Sequence, residues 1–248
     1  MTESLKQKFR QPFGYYMEEL IRKHFKVNGV YTIGHSHNHL YEWDETYEES
    51  NISALLEFYN SMMEFDEFND LSTSRSITPQ YPRKTDSISK EVLDGRLHRI
   101  SRLVGSNTFE LIRIENNKVI VSEIKSQYGP NPDYRIEIES PQLTILIKLT
   151  NVGVLTSLIY CIALPEAKFL EIPFVRLYDI FNRYSDFDGK EFKEKGYIRI
   201  RVPREYRKFT SFESMNRSLY NYNDEKTLFH SVLAQYPNKF KKLEGLID

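Results

Sequence analysis

The stretch Thr108–Ser126 reads TFELIRIENNKVIVSEIKS. Two runs of alternating, β-branched residues flank Asn116-Asn117. Asparagine tolerates positive φ, so the pair suits a two-residue reversal between antiparallel strands. With these two residues as the turn, facing positions have numbers that sum to 233. Ile114 then faces Val119, Ile112 faces Val121, and Glu110 faces Glu123. Side chains alternate across a strand, so all six share one face, and Lys125 joins them. Phe109, Leu111, Ile120 and Ile124 take the other face. The first face therefore runs from aliphatic near the turn to Glu, Glu and Lys at the open end.

Cross-strand partners have Cβ atoms roughly 5 Å apart, and two carboxylates so placed repel. Apolar neighbours raise that cost. A divalent cation removes it, because Mg²⁺ takes oxygen ligands from one or two carboxylates together with water and phosphate. Lys125 is then placed to hold a phosphate or to orient a water. These are the parts of a phosphodiester-hydrolysing site, with Glu110 and Glu123 as metal ligands and Lys125 as the assisting cation. The plainer alternative is a solvated strand face, on which Glu-x-Lys is common. A three-residue loop would also shift the register and move Glu110 elsewhere.

Outward from the hairpin, Phe13–Lys26 has apolar residues at helical spacing and ends at Asn28-Gly29. Val30–Ile33 reads as a short strand and Ile52–Met63 as a helix. Residues 71–87 read as a loop, and Ile88–Val104 as a basic amphipathic helix closed by Gly105. Ile136–Leu149 reads as strand then helix. Leu155–Leu164 and Lys168–Ile172 read as strands, Val175–Tyr184 as a helix and Gly196–Val202 as an alternating strand. The C-terminal 45 residues read as helical in part, most clearly at Leu228–Leu233.

The net charge is only -1, which does not by itself mark a nucleic-acid binder. The charges are segregated, however. His35–Ser74 has ten acidic residues and no Lys or Arg, whereas Gly196–Arg217 has six basic residues against two acidic. Basic faces can therefore form locally. In the second segment Arg199 and Arg201 share a strand face with Tyr197, and Arg204, Arg207 and Lys208 follow. Arginine reads base edges and binds phosphate, so these five residues are candidate DNA contacts. The bland reading is a solvated edge strand protected by charge. His35, His37 and His39 have a spacing that could serve Zn²⁺, but they read better as a polar loop. The single Cys161 fits a reducing compartment. The N-terminus has no apolar signal core and no apolar run is long enough to span a membrane, so a soluble cytoplasmic protein is expected. There is no P-loop, dinucleotide fingerprint or nucleophile elbow.

Glu110, twelve residues, then Glu123-Ile124-Lys125 resembles the signature of the PD-(D/E)XK nuclease superfamily. The helix GYYMEELIRKHFKVNG, Gly14–Gly29, is similar to that family's leading helix, in which a Gly precedes a Glu by four residues. Here that Glu is Glu18. The stretch LTSLIYCIALPEAKFLEIPFVRLYDIF is similar to the closing strands and helix of the family core. The sequence departs from the signature in having Glu110 in place of Asp, with no preceding Pro.

The resemblance covers residues 13–30 and about 105–184. It implies an α/β fold with a mixed central sheet flanked by helices, forming a single nuclease domain over 1–248. Residues 31–104 would be a helical insertion and 185–248 a DNA-contacting extension. It further implies a role for Glu18 facing the metal, Mg²⁺ as cofactor with Mn²⁺ as a substitute, and double-stranded DNA as substrate. In length the chain is most similar to type II restriction endonucleases. Cutting both strands calls for two sites, hence a homodimer. The alternatives are a repair, recombination or RNA-directed nuclease with the same core, or a non-catalytic binding relative.

Overall fold

The computed structural model describes residues 3–35, 41–42, 49–62, 110–127, 134–163, 167–173, 197–202, 204 and 207–212. In chain order its elements are α1 (Glu3–Val27), β1 (Tyr31–His35), β2 (Tyr41–Glu42), α2 (Glu49–Met62), β3 (Leu111–Glu115), β4 (Lys118–Gln127), β5 (Arg135–Glu139), α3 (Ser140–Asn151), β6 (Leu155–Ile162), β7 (Lys168–Pro173), β8 (Tyr197–Arg201) and β9 (Thr210–Ser211). The chain is thus mixed α/β. The expected loop 71–87, the helices 88–104 and 175–184, the C-terminal helical piece, Phe109, His37 and His39 all lie outside the described residues.

The chain divides into two compact units. One comprises Val30–Ser122 and Pro141–Thr156, the other Met1–Gly29, Glu123–Ser140 and Ser157–Asp248. In the first of these, the strand order is β2-β1-β3-β4. The β3–β4 hairpin pairs Glu115 with Lys118, Ile114 with Val119, Ile112 with Val121 and Leu111 with Ser122, each pair summing to 233. Asn116 and Asn117 have φ of 51° and 59°. Positive φ at both central residues is the turn whose twist matches paired strands. The expected reversal is therefore borne out, and the register as far as Leu111 and Ser122; the expected facing of Glu110 and Glu123 is not part of the ladder. Leu111, Ile112, Arg113 and Ile114 are all buried, so β3 is covered on both faces. Helix α2 buries Ala54, Leu55 and Phe58, and α3 buries Leu143, Leu146 and Leu149. Gly153, at φ 86°, closes α3, with the Val154 amide donating to the Leu149 carbonyl at 3.0 Å.

In the other unit, α1 begins at Glu3, well before the expected start at Phe13; Pro12 reads as a boundary, although Leu5, Phe9 and Phe13 stand at helical spacing. From Phe13 onward the stripe is as read: Phe13, Tyr16, Met17, Leu20, Ile21 and Phe25 are buried. Each such side chain contributes about 1.5–3 kcal/mol over its exposed state. Helix α1 ends where expected, at Asn28 and a Gly29 with φ 76°. The strand order here is β4-β6-β7-β9. The C-terminal ends of β4 and β6 meet, since the Ala163 amide donates to the Gln127 carbonyl at 3.2 Å. These two strands therefore run parallel, whereas β6–β7 and β7–β9 are antiparallel. A separate two-stranded ribbon pairs β5 with β8.

Candidate functional site

Glu123 lies on the part of β4 that belongs to the unit containing α1. It is 0% exposed, so the reading of Glu-x-Lys as a solvated face does not apply to it. A buried carboxylate must be paired, because losing water costs it several kcal/mol. Lys125, two residues on and on the same face, donates from Nζ to Glu123 Oε1 at 2.5 Å. Gln127 continues that face by strand parity. Its Oε1 accepts from the hydroxyl of buried Tyr160 on the neighbouring β6.

Helix α1 brings a second carboxylate to this place. Glu18 is partly buried, and its proton affinity is pushed up from 4.5 to about 7. Burial is the largest cause, the negative charge of Glu123 the next, and Lys125 opposes both. Glu18 thus feels the charges of both Glu123 and Lys125. The three residues come from two elements far apart in sequence. The stripe that buries α1 fixes the rotation of the helix, and the alternation of β4 fixes which face carries Glu123 and Lys125. Gly14 stands one turn before Glu18. A Cβ there would sit 3.9 Å from Glu18 Oε1, so this glycine is not required for space.

Glu110 stands one residue before β3, in a bend, and is partly buried. The ladder that sums to 233 ends at Leu111 and Ser122. The Glu110 amide donates to the Ser122 carbonyl at 3.3 Å, so two residues of one chain segment meet a single partner. That is the pattern of a β-bulge, which bends a strand and re-aims the side chain at the extra position.

Of the five candidate DNA contacts, Arg201, Arg204 and Lys208 are exposed. Arg199 occupies the β8 position opposite Glu137 of β5. Arg207 is used internally. Its guanidinium lies 3.8 Å over the Tyr134 ring, and its Nε donates to the Val202 carbonyl at 2.9 Å.

Sequence reasoning missed Arg113. It is 2% exposed, with Nε donating to Glu115 Oε1 at 2.6 Å and Nη1 to Ser122 Oγ at 2.7 Å. No local signal marked it, since an Arg between Ile112 and Ile114 reads as the exposed side of an alternation.

The donor chemistry fits a hard cation. A buried carboxylate stands beside one ammonium, and its charge resists ionisation of a second carboxylate, Glu18. Mg²⁺ needs only one or two protein carboxylates, with water and phosphate completing its shell. Among the described residues no group of three or more His, Cys, Asp or Glu side chains converges, so a cage supplied wholly by protein is not formed there. Compared with known families and with curated proteins, the chain matches none.

Proposed function

We propose that this chain is a Mg²⁺-dependent endonuclease that hydrolyses phosphodiester bonds of double-stranded DNA, in the manner of a type II restriction endonuclease. The observation that carries the reading is the fully enclosed Glu123 paired with Lys125, with the partly buried Glu18 of α1 feeling the charge of both. Burying two like charges is costly, and a site for a cation is a physical reason to keep them.

In this reading Glu123 holds the metal, with Mn²⁺ able to replace Mg²⁺, and Glu18 assists from α1. The ion, when bound, supplies charge neutralisation and a more acidic water. The side chains do the rest. Glu18, with its proton affinity near neutrality, exchanges a proton at its carboxylate in the working pH range. Lys125 Nζ, now on Glu123 Oε1, is placed to turn toward a scissile phosphate oxygen. Arg199, Arg201, Arg204 and Lys208 serve the DNA backbone, and two protomers cut the two strands.

Incubating supercoiled plasmid with the protein and Mg²⁺ tests this. The wild type is expected to nick and linearise the plasmid, and Glu123→Ala to lose cleavage while keeping the wild-type circular dichroism. Undiminished cleavage by a folded Glu123→Ala refutes the site. One observation favours a second reading, a non-catalytic binding relative: the direct Lys125–Glu123 ion pair is also what a purely structural pair looks like. That reading expects plasmid binding with no cleavage in either Mg²⁺ or Mn²⁺.

A further inference from the structure

The β5–β8 ribbon has two unlike ends. Its register sets Arg135 opposite Arg201, Glu137 opposite Arg199, and Glu139 opposite Tyr197. Ile136 and Ile138 are buried, so the alternate positions Arg135, Glu137 and Glu139 form the exposed face of β5. Charge is balanced at the middle of the ribbon and acidic at the Glu139 end. At the other end two exposed arginines stand opposed and make that end basic. Exposed Arg204 and Lys208 follow directly on from β8 and add to the same end.

This basic end is held rigidly. Tyr134, next to Arg135, has φ 57°, a left-handed conformation that a bulky side chain rarely adopts. It is pinned by the Val202 amide, which donates to its carbonyl at 2.9 Å, and by the Arg207 guanidinium over its ring. Phe209 extends the ring layer, with centroids 6.2 Å apart, and carries Lys168 Nζ 5.1 Å from its own ring centroid. Strain that is held in place by several contacts tends to mark a functional position.

We propose that the Arg135–Arg201 end of this ribbon, with Arg204 and Lys208, is the surface on which duplex DNA lays its phosphate backbone. The choice of DNA as the polyanion rests on the nuclease reading, whereas the choice of surface does not. A line of phosphates can cross the basic end without meeting Glu137 and Glu139. A flat anionic membrane would meet the whole face, carboxylates included. Moreover, the apolar side chains of β5, Ile136 and Ile138, are buried and do not face outward to insert into lipid. Arg135, absent from the basic cluster read in the C-terminal segment, thus becomes a binding residue. Arg207 becomes a positioning residue that holds Tyr134, and through it Arg135.

The test is fluorescence anisotropy of a short labelled duplex at low salt in EDTA, where no cleavage can occur. The double variant Arg135→Gln/Arg201→Gln is expected to bind about tenfold more weakly or worse. Its plot of log affinity against log salt should lose roughly two from its slope, one for each phosphate contact. Arg204→Gln/Lys208→Gln, away from the ladder, should lower the slope without changing the circular dichroism. Glu137→Gln should tighten binding. An unchanged affinity and slope in the double variant would overturn the proposal, as would phosphatidylserine vesicles that compete fully for the same surface. Wild-type protein that binds duplex in this way but never cleaves it supports the surface and sinks the nuclease. Wild-type protein that cleaves but shows no loss in the double variant does the reverse.

Discussion

Glu18 and Glu123 put a measurable mark on proton binding. Glu18 is held near 7 first by burial and then by the charge of Glu123. A carboxyl whose folded value lies above its unfolded value favours the native state while protonated. Its contribution is therefore complete below about pH 4.5 and is lost as pH rises through 7. Glu18→Gln should flatten the fall of Tm over that window. Glu123→Gln should lower the Glu18 value without restoring it fully, since burial remains, and carboxyl NMR titration would read the change. Arg113 makes a different prediction. Truncating it to Ala strips Ser122 and Glu115 of a buried partner, and stability should fall by about 3 kcal/mol in urea unfolding. A loss near zero would mean that the two hydrogen bonds count for little. The burial of Arg113 was not legible in the sequence, because an Arg between two Ile reads as the exposed side of an alternation. Nothing local says that both faces of β3 are covered.

Among the elements, the hairpin was legible because a two-residue turn leaves no freedom of register. Once Asn116 and Asn117 accept positive φ, every pair up to Leu111 and Ser122 follows. The bend at Glu110 was not legible, since it depends on what the chain does after the ladder ends. Asn117→Gly should keep or slightly raise stability, whereas Asn117→Val should cost about 1–2 kcal/mol, because a β-branched residue is strained in the left-handed region. Thermal unfolding of the two variants checks this. The end of α1 carries another test. His24 packs edge-on against Phe25, Phe169 and Phe212, and its Nδ1 takes no hydrogen bond among the described residues. Burial lowers its proton affinity from 6.5. The unfolded chain therefore takes up the proton first on acidification. The stability this gives is complete above pH 6.5 and falls as pH drops toward the lower folded value. His24→Phe should flatten that acid limb.

At the scale of the whole molecule, the sequence made the mixed α/β class legible through its alternating and helical stretches. The pairing of β5 with β8 was not, because 57 residues separate Glu139 from Tyr197 and no local pattern encodes such a partner. That Glu18 feels the charge of Glu123 was not legible from local pattern either, since helix-to-sheet packing is equally non-local. On the proposed function, the near-zero net charge predicts that any DNA binding rests on one local surface rather than on the overall field, and so is abolished by few substitutions. A two-site cutter should sediment as a dimer at concentrations where plasmid is linearised without accumulating a nicked intermediate.

We propose that the buried Glu123, with Glu18 within reach of its charge, is kept for a cation. Isothermal titration of Mn²⁺ into the wild type and into Glu123→Ala addresses this most directly. Binding should be clear at about pH 8, weaken several-fold at about pH 5.5 where Glu18 keeps its proton, and vanish in Glu123→Ala. Equal heats for wild type and variant, or no binding at either pH, would contradict it.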